Sequence, residues 1–479
     1  MNAQLSVLLP ELILAGLGMV LLLVGVTRRA SPSWAFSLAN LGLVAAAVAV
    51  FVVGERGQTT FFSGMVQLDR FALFFRLLFL FAALLVVWLS RDFLQRAQQN
   101  PWEYYALVLF ATLGMSFLAS GVHLAGLYVS LELMALSSYI LAGYFRGEVK
   151  SHEAATKYFV LGALSSGVLV YGLSLLYGAT GSLDLVELRQ LLAQQPPSMA
   201  AMAGVFLLLA GMLFKVAAVP FHVWTPDVYE GAPTPMTAFF SVGPKAAAFA
   251  MMVRVFWVGL APAAEDWRVF LAWIAAATMV WGNVAALTQD NVKRLLAYSS
   301  IAHAGYALLG VVAGGQLGIQ AVLFYMLVYA LTNLGAFGLV VLLGSKEYAG
   351  EKVSDFRGMG RKHPLAAFAM LLFLLSLGGI PPTAGFMGKL YLFAAAVHAG
   401  FAWLAVVGVV MSAVSLYYYF RIVREMYLPT EEEEEPLPVL SEAWGVRALA
   451  VCAFLTLLLG VYPTSVLAFT AAAAMIAPW

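Results

Sequence analysis

The chain has 479 residues, of which 62% are hydrophobic and only 11% charged, with a mean hydropathy of +0.89; an ordinary soluble domain is about half apolar and a quarter charged. That balance points to a polytopic membrane protein with no soluble domain left over, and a net charge of +1 gives no case for nucleic acid. The single cysteine, Cys452, excludes an intramolecular disulfide and a cysteine-ligated cluster.

At about 20 apolar residues per span, the length holds about fourteen transmembrane helices. The first apolar run, Leu5 to Val26, is longer than a signal-peptide core and has no basic stretch before it, so it reads as a retained first span. Further spans are predicted near 34–53, 71–90, 102–119, 123–145, 155–178, 201–219, 235–258, 267–287, 292–313, 318–344, 364–398, 401–425 and 443–462. The stretch 292–313 opens with Lys293-Arg294 and carries Tyr298, Ser299, Ser300 and His303, which predicts a polar-faced helix buried among neighbours.

With the N-terminus outside, 17 of the 26 basic residues fall on the inner side, among them Arg28, Arg29, Lys150, Lys346, Arg421 and Arg424. Only Arg56, Arg70, Arg189 and Arg268 fall outside. Inner loops are enriched in Lys and Arg, so fourteen spans with both ends outside is the expected topology. The remaining basic residues, Arg76, Lys215, Lys245, Arg254 and Lys389, lie within spans.

Glu132 lies about nine residues into its span, roughly 13 Å deep at 1.5 Å per residue, and reads as the one mid-membrane carboxylate. Lys215, Lys245 and Lys389 are comparably deep, whereas Arg76 and Arg254 lie nearer the ends and are expected to be paired or snorkelling. Low dielectric disfavours the charged form of a lysine and a nearby carboxylate restores it. Moving one charge therefore switches such a lysine, which is the requirement for a proton carrier; the competing reading is a pair that only stabilises packing.

Two of these lysines accompany helix breaks. Residues 211–235 read GMLFKVAAVPFHVWTPDVYEGAPTP. Pro220 has no N–H and clashes with the carbonyl of Val216, so the helix should break one residue after Lys215 and leave freed carbonyls beside it. Residues 372–390 read LFLLSLGGIPPTAGFMGKL, where Gly378, Gly379, Pro381 and Pro382 interrupt a span ahead of Lys389. Five spans separate the breaks, so the two segments cross in opposite directions, as in an inverted repeat. His222 and His303 can relay protons, although a lone histidine in a bundle is more often a hydrogen-bonded structural residue. Glu153 and Lys157, four apart, form either an interfacial pair or an inner-side intake group. The run Glu431 to Glu435 reads as a solvated loop. No metal-ligand spacing and no phosphate loop is present in the sequence.

The segments KYFVLGALSSGVLVYGLSLLYG at 157–178, FKVAAVPFHVWTPDVYEGAPTPMTAFFS at 214–241 and NVKRLLAYSSIAHAGY at 291–306 resemble the antiporter-like subunits of the proton-pumping NADH:quinone oxidoreductase, respiratory complex I. The resemblance covers essentially the whole chain. Its N-type branch is favoured by the KYFVLGALSSG run, by Lys389 where M-type subunits are expected to carry Glu, and by the short stretch after Tyr462, too small for the lateral helix of L-type subunits.

The resemblance implies an all-α polytopic membrane protein of about 14 transmembrane helices with two inverted five-helix repeats, each containing a broken helix. Residues 1–101 would form three N-terminal helices, 102–258 and 259–425 the two half-channels, and 426–479 an acidic inner loop and a C-terminal helix. It implies proton translocation in which Glu132 modulates Lys215, Lys245 bridges to the centre and Lys389 leads to the far half-channel, with Lys157, His222, His303, Pro220, Pro381 and Pro382 in support. No cofactor is expected in this chain; FMN, iron–sulfur clusters and quinone would belong to other subunits. Expected partners are the small K-, J- and A-type membrane subunits, the M-type subunit, the L-type lateral helix and lipid, in a bacterial inner membrane with both termini periplasmic. A stand-alone Mrp-type cation/proton antiporter and a non-pumping structural subunit are the alternatives.

Overall fold

In hydrocarbon every backbone polar group must find its partner within the protein, so long apolar runs become helices. The computed structural model describes residues 6–27, 31–54, 59–344, 350–429 and 443–476. Arg28, Arg29, Arg56, Lys346 and the run Glu431 to Glu435 lie outside the described residues.

The chain opens with α1 (Leu9–Thr27) and α2 (Pro32–Val53), followed by a hairpin of β1 (Thr59–Phe61) and β2 (Val66–Leu68), in which Thr59 pairs with Leu68. Next come α3 (Arg70–Arg96), α4 (Pro101–Ser120), α5 (Leu124–Ala142), α6 (Val149–Thr180), a short α7 (Leu185–Gln194), and α8 (Met199–Lys215) with its continuation α9 (Trp224–Gly231). A long α10 (Thr234–Val253) runs through Pro244 and ends in a π-helical turn, Arg254–Gly259. The second half of the chain contains α11 (Ala264–Ala286), α12 (Val292–Ala313), α13 (Gly315–Leu343), the small α14 (Met359–Lys362), α15 (Pro364–Gly378), α16 (Ala384–His398), α17 (Ala402–Tyr427), α18 (Ala443–Val461) and α19 (Thr464–Ala473).

Among the described residues, twelve helices are long and apolar enough to cross a membrane, and α8, α15 and α19 are shorter apolar helices. The architecture is the expected all-α membrane bundle. Both anticipated breaks are present. α8 stops at Lys215, with Val216 as its cap, and Ala217 turns into the left-handed region at φ 61° before Pro220. The stretch 364–398 is two helices, because α15 ends on Gly379, whose φ of 82° no side chain adopts easily. Not anticipated were the hairpin, the surface helix α7, which buries Leu185, Leu188 and Leu192, and α19 beyond the last expected span.

The centre of the bundle is α10, α12 and α13, almost wholly buried, with α1, α2, α17 and α18 at the periphery showing apolar faces outward. The helix 292–313, expected to be polar-faced and enclosed, is among the most buried. α6 and α8 approach closely because Gly172 and Gly204 face each other: a Cβ at Gly172 would lie 2.9 Å from the Gly204 carbonyl. Arg76 and Arg254 are paired inside the protein. Arg76 meets Glu11 at 2.9 Å. Arg254 forks onto both oxygens of Asp69 at 2.7 and 2.8 Å and also donates to the Ala119 carbonyl, so it ties α3 and α4 to the end of α10.

Candidate proton-carrying site

The four mid-membrane charges fall into two hydrogen-bonded clusters and one central residue. In the first cluster, Glu132 on α5 and Lys215 at the end of α8 do not touch. Ser166 on α6 joins them: its hydroxyl donates to Glu132 Oε1 at 2.5 Å and accepts from Lys215 Nζ at 3.4 Å. Lys215 also donates to the Tyr139 hydroxyl at 3.2 Å, and its ammonium lies 5.8 Å from the centre of the same ring. Lys215 is only 8% exposed, while Glu132 is half-buried on the side of α5 that exposes Val129, Leu136 and Ile140. The expected pairing is therefore relayed through a hydroxyl, with the carboxylate at the margin of the bundle.

The freed carbonyls expected beside Lys215 are taken by other donors. Trp224 Nε1 donates to the Phe214 carbonyl at 3.2 Å, Ser165 to that of Gly211 at 3.2 Å, and the Val219 N–H finds Thr278 Oγ1 at 3.0 Å. It is the second break that gives its carbonyls to a lysine. Lys389 Nζ donates to the carbonyls of Leu377 at 2.8 Å and Gly378 at 3.2 Å, and to Ser412 Oγ at 2.8 Å, with the ring of Tyr306 4.7 Å away. Lys389 lines a groove of about 350 Å³ between α15, α16 and α17.

Lys245 sits on α10 directly after Pro244, which lies inside the helix without ending it. Its ammonium donates to the Ser300 carbonyl at 2.8 Å and to the Ser300 hydroxyl. His303, one turn further along α12, is held at both ring nitrogens, by the Tyr325 hydroxyl at 2.6 Å and the Tyr419 hydroxyl at 3.2 Å; Tyr419 in turn meets Ser299 at 2.6 Å. His303 is thus one turn from Ser300, the partner of Lys245, and its ring lies 5.6 Å from that of Tyr306, which Lys389 faces. Among the described residues, no carboxylate lies within ion-pair distance of Lys215, Lys245 or Lys389, whose partners are neutral oxygens.

Aromatic rings separate the first cluster from Lys245 and its partner Ser300. Tyr139 packs edge-on to Tyr158, which stacks on Trp224 at 4.4 Å, and the Tyr229 hydroxyl beyond reaches Ser300 Oγ at 3.5 Å. Among the described residues, no continuous chain of side-chain hydrogen bonds joins Lys215 to Lys245. His222 stands apart, half-buried with its ring 6.0 Å from Trp281 and without a hydrogen bond to any of the four charges.

At one end of the bundle an ion-pair lattice fixes α9. Asp227 takes Lys157 at 2.6 Å and Arg294 at 2.8 Å; Glu230 takes Lys150 at 3.1 Å and Arg294 at 3.2 Å. Lys157 also keeps its helical partner Glu153 at 2.6 Å. Pro220 lies in the turn between α8 and α9, and Pro381 and Pro382 lie in the turn between α15 and α16. The residues missed from sequence are the bridging hydroxyls Ser166, Ser300 and Ser412 and the tyrosines 139, 325 and 419. Their signal was present as small polar residues inside apolar helices, but not the identity of the helix each would face.

A family model described as NADH:quinone oxidoreductase/Mrp antiporter, TM, matches residues 121–415. The NADH-quinone oxidoreductase subunit N of Trichlorobacter lovleyi is 47% identical over 470 residues, covering 97% of this chain and 96% of the relative. A chain of respiratory complex I from Thermus thermophilus with bound aureothin matches with a TM-score of 0.82 at 38% identity, over 97% of this chain and 99% of that one. A chain of the Mrp complex from Dietzia sp. DQ12-45-1b shares the fold with a TM-score of 0.85 at 24% identity, over 99% of this chain and 97% of that one. This chain therefore belongs to the family of NADH:quinone oxidoreductase and Mrp antiporter transmembrane subunits, on the branch of its subunit N relatives.

Proposed function

We propose that this chain, a proton-translocating membrane subunit of NADH:quinone oxidoreductase, moves protons through Glu132, Lys215, Lys245 and Lys389, driven by quinone reduction in other subunits. The observation that carries the reading is the Ser166 bridge: one hydroxyl holds the marginal carboxylate and the enclosed lysine together. A carboxylate close to a buried ammonium favours its charged form, and withdrawing that carboxylate favours proton release. A shift equivalent to one pKa unit is about 1.4 kcal/mol, so a modest displacement of Glu132 is enough to change the occupancy of Lys215. The exposed face around Glu132 gives a neighbouring membrane subunit a place from which to displace it. From Lys215 the proton passes the aromatic wall to Lys245, and then by way of His303 and its tyrosines to Lys389.

Residues 102–258 and 259–425 serve as the two half-channels, behind the three N-terminal helices of 1–101. The two opposed breaks, each followed by a second half-helix, support this division. The chain spans a bacterial inner membrane with both termini periplasmic; the gathering of Lys150, Lys157, Lys293, Arg294 and Arg421 at one end of the bundle supports that orientation. Its proposed neighbours are the small K-, J- and A-type membrane subunits, an M-type subunit, the L-type lateral helix and lipid. Redox chemistry, with FMN, iron–sulfur clusters and quinone, belongs to other subunits. Replacing Lys215 by Met in the assembled complex should abolish the share of proton pumping that depends on this subunit. Pumping that stays intact at full quinone-reductase activity would overturn the assignment.

A further inference from the structure

The basic end of the bundle holds a cleft that the proton path does not use. It measures about 450 Å³ and lies at the C-terminal end of α17, lined by Lys352, Arg357, Arg421 and Arg424 with the acidic Asp290 and Glu425. Arg421 pairs with Asp290 at 2.7 Å and donates to the Leu287 carbonyl at 2.8 Å. Arg357 faces Glu425 at 3.5 Å. These two pairs leave the lining with an excess of positive charge at Lys352 and Arg424, both of them exposed.

The cleft continues into an apolar stripe. Val406, Val410, Ala413, Tyr417 and Phe420 repeat at spacings of four and three along α17, and all are exposed: Val406 by 62%, Tyr417 by 64% and Phe420 by 44%. Arg424 is the next position on the same face. From Val410 to Phe420 the helix rises ~15 Å, half of a ~30 Å hydrocarbon layer, which is the reach of one leaflet. A ligand that fits both parts has a long apolar tail and an anionic head.

We infer that the cleft binds the headgroup of an anionic phospholipid whose acyl chains lie along the exposed stripe of α17. Free phosphate would fill the head position but leave the stripe uncovered, and a zwitterionic lipid would cover the stripe but bring its own cation against Lys352 and Arg424. A neighbouring subunit laid on this face would need carboxylates at the cleft and an apolar helix on the stripe; a phospholipid supplies both in one molecule. The bound head would rest against the loop through Asp290 that leads into α12, the helix of Ser300 and His303. It thereby ties that loop to α17.

The test uses the purified assembled complex in nanodiscs that carry a photoactivatable phosphatidylglycerol with the reactive group in its acyl chain. Labelling should concentrate on peptides spanning 406–427 and exceed that by the phosphatidylcholine analogue. It should fall about thirtyfold in the K352Q/R424Q double variant, the loss expected for two charge contacts of about 1 kcal/mol each. Added inorganic phosphate should leave it unchanged. Equal labelling by both lipids, labelling indifferent to the double substitution, or its removal by phosphate alone would overturn the proposal. So would an unlabelled stripe that crosslinks instead to a neighbouring subunit.

Discussion

At the scale of single residues, hydroxyl groups are the partners of the buried charges. Ser166 is the only side chain among the described residues that bonds both Glu132 and Lys215, so it fixes their separation. Replacing it by Ala should weaken the coupling by ~1.5 kcal/mol, the worth of a hydrogen bond to a charged group, and reduce this subunit's share of pumping at fixed electron flux about tenfold. Thr at the same position keeps the hydroxyl and should restore most of it; proton uptake by membrane vesicles with both variants checks this. The four charges themselves were legible, because a lysine or glutamate inside an apolar span is conspicuous. Their partners were not. Ser166, Ser300 and Ser412 lie on helices remote in sequence from the residues they serve, and a hydroxyl in a helix usually bonds its own backbone four residues back. Glu11 and Asp69, which hold Arg76 and Arg254, were hidden for a related reason: each sits near a helix start, where an acid has an ordinary local explanation.

At the scale of elements, the two breaks answer one sequence signal with different chemistry. In the first, the tryptophan and serine of neighbouring segments take the loosened carbonyls, and the acidic residues of α9 lock the second half-helix to α6 and α12. In the second, the lysine itself takes them, so the shape of the turn between α15 and α16 sets its surroundings. That turn is held from outside by α18: a Cβ on Gly460 would lie 2.0 Å from the Pro382 carbonyl. From inside, the Gly385 N–H donates to Ser376 Oγ at 3.0 Å. Gly460→Val should therefore push the turn away from α18 and draw the Leu377 and Gly378 carbonyls off Lys389, at a cost of about 1–3 kcal/mol in stability. The expected result is a lower thermal midpoint for the complex together with fewer protons pumped per electron pair. A lower midpoint with unchanged pumping would mean that Gly460 only packs. The prolines announced both breaks in the sequence; the contact of the last helix with the second break could not be read there, because a glycine near the end of an apolar helix has no preferred neighbour.

At the scale of the whole molecule, the buried charges are a carboxylate and lysine joined through Ser166 beside an exposed face of α5, the enclosed Lys245, and Lys389 at a groove between α15, α16 and α17. The sequence made the membrane class, the paired breaks and the buried helix 292–313 legible, since each follows from hydropathy or proline chemistry. It did not show the wall of Tyr139, Tyr158, Trp224 and Tyr229 between Lys215 and Ser300, because aromatic residues in a membrane protein are abundant and only the fold brings these four together. The wall stands between Lys215 and Lys245, and in the proposed path charge displaced at Glu132 acts first on Lys215. The most direct test is the proton-to-electron ratio of the intact complex carrying Glu132→Gln, which keeps the shape and the Ser166 partner but removes the charge. The account predicts a complex that assembles with this chain in place and pumps fewer protons per electron pair. An unchanged ratio at wild-type electron flux would contradict it.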